Sequence, residues 1–189
     1  MTKVLLVMDA QCAVVDHFGT PQVLEHMTAA VGAARSARIP VIFVSLALRS
    51  GFPEIALTNK LFSELAANAA EGTLSAEAPG SQIHPALQPR ANEPVVLKRR
   101  ISAFVGSDLE VLLRGLQATS LVLAGISTSG VVLSTFLDAA DRDFKLTVLA
   151  DACTDPEADL HSVLMEKLFP KQATVLSVAE WAGGLSRND

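Results

Sequence analysis

The chain has 189 residues, half of them hydrophobic and 19% charged, with a formal net charge of −5. That length suits a single domain with a full core, and the composition excludes disorder. The acidic balance, with no basic cluster beyond Lys98 to Arg100, argues against nucleic acid or anionic membrane as partners, and no apolar run approaches the ~18 residues of a membrane span.

In chain order, "KVLLVM" (3–8) predicts a first buried strand; Asp9 interrupts it too soon for a signal-peptide core. Leu24, Met27 and Val31 then share a helical face behind Thr20-Pro21, a cap followed by proline in the first turn. "PVIFVSLAL" (40–48) predicts the second strand. Residues 71–92, broken by Pro79, Pro85 and Pro89, are too long for a routine connection and predict a lid or an excursion over a binding cleft. "EPVVLK" (93–98) predicts the third strand, and Leu109, Leu112, Leu113 and Leu116 a helix opened by Ser107 and Glu110 at capping-box spacing.

"SLVLAGI" (120–126) predicts the fourth strand. The run "VVLSTFLDAADRDF" after it carries Val132, Phe136 and Ala139 along one side, facing either the sheet or a second copy. "KLTVLAD" (145–151) predicts the fifth strand, Leu160, Val163, Leu164 and Leu168 a helical stripe behind Asp155-Pro156, and "ATVLSV" (173–178) the sixth strand. The strands are continuous and rich in Val, Ile and Leu rather than alternating, as expected when both sheet faces are covered. The order predicts one α/β domain over 1–189 with a parallel, doubly wound sheet. Cys12 and Cys153 form no motif and read as small buried hydrophobes in a reduced, cytoplasmic setting.

Ligands of open parallel sheets sit beyond the carboxyl ends of the strands, near the reversal of strand order. Three unusual features fall there: Asp9, Lys98 and the turn "GISTSG" (125–130). With strands one and four adjacent at the reversal, Asp9 and the turn flank one crevice. Each also has a plainer reading, as a loop cap, a solvated basic triplet and ordinary punctuation. A nucleotide loop is disfavoured, because no "GK[ST]" follows the glycines and the spacing is not G-x-G-x-x-G. A phosphatase-type aspartate wants a second acid two residues on, where Gln11 stands. His17, His26, His84 and His161 lack metal-ligand spacing, so neither a metal nor another cofactor is expected.

Taken together, these residues resemble the isochorismatase-like family of cysteine hydrolases. The matching pieces are "VLLVMDAQ", "IPVIFVSLALRSGFPE", "VVLKRRISAF", "LVLAGISTSGVVLSTFLDAADRDFKLTVLADACTDP" and "VLMEKLFPKQATV", nearly the whole chain. The resemblance implies a three-layer α/β/α sandwich with a mostly parallel six-stranded sheet, a small-molecule substrate, and a homo-oligomer, expected to be a dimer. Amide-hydrolysing members use an Asp–Lys–Cys triad. Asp9 and Lys98 match its first two members, and the cysteine, six residues after the glycine that ends the fourth strand, falls on Val131, with Gly130 and Val132 equally unreactive. The resemblance also implies a cis peptide between Ile126 and Ser127, with the backbone N–H groups of Ser127 and Val131 forming an oxyanion hole.

The family's isochorismatases also lack that cysteine and are understood to cleave a vinyl ether with the aspartate as acid. They carry glycine at the nucleophile position, so the branched Val131 argues against isochorismate itself. The expectation is therefore a small-metabolite hydrolase working through Asp9 and Lys98 without a thiolate. Gln11, Phe104, Ser127, Thr128, Ser129 and Gly130 are candidates for lining the pocket or holding an anion. The alternative is an inactive member that binds a metabolite or serves as an assembly subunit.

Overall fold

The apolar runs form one parallel sheet in the computed structural model, which describes residues 2–70 and 72–185. Among the described residues, strands β1 (Thr2–Met8), β2 (Val41–Leu46), β3 (Val95–Lys98), β4 (Ala118–Ile126), β5 (Lys145–Thr154) and β6 (Ala173–Leu176) pair in the order β3-β2-β1-β4-β5-β6. Strands one and four are thus neighbours at the reversal. β5 continues to Thr154 rather than ending at 151, and pairs again with the end of β4 through Gly125 and Cys153 after an irregularity.

The helices are α1 (Cys12–Phe18), α2 (Pro21–Ser36), α3 (Lys60–Asn68), α4 (Leu109–Gly115), α5 (Leu133–Ala140), α6 (Ala158–Val163) and α7 (Val178–Leu185). Alternate β1 side chains supply two separate cores. Val4, Leu6 and Met8 join Leu121, Leu123 and Phe136 on the face covered by α4 and α5, and Leu164 and Phe169 beyond α6. Leu5 and Val7 join Val122, Ala124, Met27, Val31 and Trp181 on the face covered by α1, α2 and α7. This is the expected three-layer α/β/α arrangement. Two buried sheet faces are what make a non-alternating apolar strand stable.

Thr20 caps α2 as expected, its hydroxyl accepting from the Val23 N–H at 3.2 Å with Pro21 in the first turn. The Ser107–Glu110 capping box does not form. Ser107 accepts from the Leu109 N–H, but Glu110 reaches forward to Arg114 at 2.5 Å, where a full charge competes better than a backbone N–H. The stripe behind Asp155 is also corrected, because Leu160 and Val163 are exposed and only Leu164 of the four is fully buried. Cys153 is buried, whereas Cys12, at the start of α1, is only half-buried.

The long connection between β2 and β3 is a strap rather than a free lid; Glu71 lies outside the described residues. Two single 3-10 turns, Pro79–Ser81 and Pro85–Leu87, bring Ile83 and Leu87 into the core beside α1 and α2. His84 N–H donates to the Ala10 carbonyl at 2.8 Å, and Cys12 N–H to that of Gln82 at 2.9 Å. At its far end Arg35 of α2 holds Glu93 in a two-pronged pair, 2.8 and 2.7 Å, and donates to the Gln88 carbonyl at 2.7 Å.

Removing Arg35 leaves the Glu93 carboxylate, its side chain 8% exposed, without its charged partner and with only the Arg90 N–H donating at 2.9 Å. Arg35→Ala is therefore expected to lower stability by about 3 kcal/mol near neutral pH, read from urea unfolding. The Arg35 hydrogen bond holds the Glu93 carboxyl below its usual range, so the pair's contribution is present above ~4.3 and fades as pH falls through the lowered native value. The gap between wild type and Arg35→Ala should shrink on acidification.

Candidate active site

Asp9 follows β1 directly and takes a left-handed backbone, φ 53°. Aspartate tolerates that conformation better than most residues, and the bend carries its side chain out of the strand direction at the sheet's carboxyl edge. Its N–H donates to the Val44 carbonyl of β2 at 2.8 Å, which fixes the bend. Lys98, the last residue of β3, sits opposite the end of β2 in register with Leu46. Its ammonium lies 2.9 Å from Asp9 Oδ2 and donates to the Arg100 carbonyl at 3.0 Å. The Lys98 side chain is only 3% exposed and that of Asp9 13%.

Two charges in so little water place opposing demands on the aspartate proton. Burial dominates and raises the Asp9 pKa, while the Lys98 charge, its hydrogen bond and the Leu46 backbone pull the other way. Oδ2 is committed to Lys98. Oδ1 is buried without a hydrogen-bond partner and is the atom free to hold or deliver a proton.

The turn 127–132 begins beside this pair, because β4 lies against β1 with Gly125 in register with Met8. The Ile126–Ser127 peptide is cis. Residues Thr128–Val132 form one wide π-helical turn that leads into α5, kinked at Gly130 (φ −93°, ψ −105°). Val132 N–H closes it on the Ser127 carbonyl at 3.2 Å. Thr128 is fully buried, its hydroxyl 2.8 Å from His161 Nδ1. The Ser129 N–H is taken by Asp155 Oδ2 at 2.7 Å. The Val131 side chain is buried in the α5-side core with Cys153 and Val132.

Asp155 and His161 thus belong to the site's framework, and sequence reasoning assigned them neither role. Asp155 was visible only as the residue before a proline, and His161 only as a histidine without a metal partner. Burial lowers the His161 pKa against the opposing charge of Asp155, so the imidazole beside Thr128 is neutral at physiological pH. No group of His, Cys, Asp and Glu positioned to hold a metal occurs among the described residues.

Two expected pocket residues have other surroundings. Gln11 is a brace: its amide donates to the Leu46 and Ser81 carbonyls at 3.0 Å each and accepts from the Leu46 N–H at 2.9 Å, tying β2 to the strap. The Phe104 ring stacks on Phe144, the residue before β5, under the Arg142 guanidinium at 4.5 Å. Phe144 lies at the amino end of β5, so Phe104 packs away from the Asp9 edge; its segment runs beside α5, Ala103 N–H donating to the Thr135 hydroxyl at 2.9 Å.

Residues 3–180 match the isochorismatase domain family. The chain is 37% identical over 98 residues to an uncharacterized isochorismatase family protein, YecD, of Escherichia coli O157:H7, a match spanning about half of each protein (51% and 52%). It is 30% identical over 183 residues to the ureidoacrylate amidohydrolase RutB of Pseudomonas savastanoi pv. phaseolicola, covering 92% of this chain and 71% of that one. Among solved structures, an isochorismatase family protein from Burkholderia thailandensis superposes with a TM-score of 0.85 at 26% identity, over 98% and 96% of the two chains.

The closeness of β1 to the turn can be tested at Gly125. A Cβ there would sit 2.7 Å from the Met8 carbonyl oxygen and 3.0 Å from Met8 Cβ, so backbone would have to move. Gly125→Ala is expected to cost about 2 kcal/mol or more in urea unfolding. Gly130→Ala meets only the Ser127 hydroxyl, at 2.7 Å, which can rotate away, and should cost less.

Proposed function

Because this chain belongs to the isochorismatase family, we propose that it hydrolyses a small metabolite by acid–base and electrostatic catalysis at Asp9 and Lys98, without a cysteine nucleophile. The observation that carries the reading is the buried 2.9 Å pair with one aspartate oxygen uncommitted, at the sheet edge where the 127–132 turn begins. Asp9 Oδ1 delivers a proton to the substrate and takes one back from the water that adds, Lys98 stabilises the carboxylate between the two transfers, and the N–H groups of Ser127 and Val131 hold an anionic group of the substrate. For an enol ether, protonation of the terminal carbon yields an oxocarbenium ion that water captures. Such a route needs no covalent intermediate with the protein.

The burial of Cys153 speaks against a thiolate route through it. Burial pushes the Cys153 thiol up to about 12, and Cys12 heads α1, three residues past Asp9 on a different element. One observation favours a second reading, binding without turnover: the position where a nucleophile would stand carries the Val131 side chain, which is buried in the apolar core.

A panel of vinyl ethers, amides and esters separates the two. Asp9→Asn is expected to reduce turnover by ~10²–10⁴ with the fold intact, and Lys98→Ala to reduce it as well. No turnover of any panel member by wild type, with ligand binding kept in both variants, rejects catalysis in favour of binding. The proton on Asp9 must be present for action as an acid, so kcat/KM should fall as pH rises through the raised Asp9 value, above the ordinary ~3.9. Lys98→Met removes a lowering influence and should move that limb to higher pH. Val131→Cys should introduce amide hydrolysis if the rest of a thiol-type site is present.

A further inference from the structure

A second cavity lies about 20 Å from Asp9, at the opposite end of β1, where Lys3 precedes Asp9 by six positions on a strand that rises ~3.3 Å per residue. Register aligns Lys3 of β1 with Ser120 of β4, and Ser120 with Lys145 of β5. These three residues form one row across the sheet on the face that also carries Leu5, Val122 and Leu149. The next row contributes Thr147 and Thr174, paired between β5 and β6. Further along, α7 covers this face; at this corner it supplies a wall, Trp181, over a cavity of about 410 Å³. That is ample for a small organic molecule.

The charges at this corner are unspent. Lys3 is half-buried and Lys145 exposed at the mouth of the cavity, and neither has a carboxylate partner among the described residues. Glu180, the carboxylate at the rim, accepts from the Ser177 N–H and hydroxyl at 2.8 Å each through Oε2, as a helix cap. The Trp181 indole is nine-tenths buried, and its Nε1 has no acceptor. Lysines two strands apart stand about 10 Å from each other at the backbone, and their flexible stems can converge on one doubly charged group.

We infer that this corner binds a small organic phosphate, its oxyanion between Lys3 and Lys145 with the Thr147 and Thr174 hydroxyls as further donors, and its organic part against Trp181. A tetrahedral dianion uses two ammonium groups and several hydroxyls at once, where a single carboxylate leaves donors unmet. The inference stands apart from the proposed catalysis, since no residue is shared.

Trp181 is the only tryptophan, so its emission reads the site directly. The protein would be titrated with phenyl phosphate, inorganic phosphate and phenol, ionic strength being matched with sodium chloride. Phenyl phosphate should give a saturable change, inorganic phosphate a weaker one, and phenol none. Lys3→Gln with Lys145→Gln should weaken phenyl phosphate about tenfold or more, while the paired Lys→Arg changes retain it. Asp9→Asn should bind as wild type does. The inference is overturned by no saturable change in wild type, by binding that survives the paired Lys→Gln changes, by phenol binding as tightly as its phosphate, or by loss of binding in Asp9→Asn.

Discussion

An ammonium and a carboxylate 2.9 Å apart, with almost no water around either, set the terms for the rest of this molecule. Desolvating both ions costs several kcal/mol each, and their attraction alone is a poor repayment. The expense is met by scaffolding on every side. β2 separates the strands that bear the two groups and fixes the Asp9 bend through Val44, the Arg100 carbonyl takes the second ammonium contact, and two apolar cores clamp the sheet between helices. A buried pair kept at such cost is weak evidence of a contribution to stability.

The same logic governs the neighbouring turn. A wide helical turn leaves more backbone N–H groups in play than an ordinary one, and loose donors would scatter rather than converge. Asp155 removes the Ser129 N–H from circulation and neutral His161 anchors Thr128 from behind. Both grips come from the segment after β5, which reaches the turn because β5 runs past its expected end and rejoins β4 at Gly125. The strand irregularity and the shape of the turn are therefore one feature.

Much of this was legible beforehand because it follows from periodicity. Continuous Val, Ile and Leu runs marked all six strands, and Asp9 falls beside the turn because the sheet has the common order, with strands one and four adjacent, on which that expectation was conditional. Asp9 and Lys98 stood out as polar residues at the ends of apolar strands. What escaped depends on contacts distant in sequence or on competition between partners. Asp155 meets Ser129 across 26 residues and His161 meets Thr128 across 33, with no local signal of either. Glu110 had the right spacing for a cap and found a better partner in Arg114. Gln11 was polar and near the acid, but its amide is wholly engaged by main chain.

The left-handed bend at Asp9 carries a consequence for which residues this position can accept over evolutionary time. Glycine would keep the curve and forfeit the acid. Glutamate would keep an acid, at roughly 1–2 kcal/mol of backbone cost, and overshoot the lysine by a methylene. Backbone shape and acidity are thus vested in one short side chain, and drift at this place is confined to aspartate or to abandoning the proton altogether.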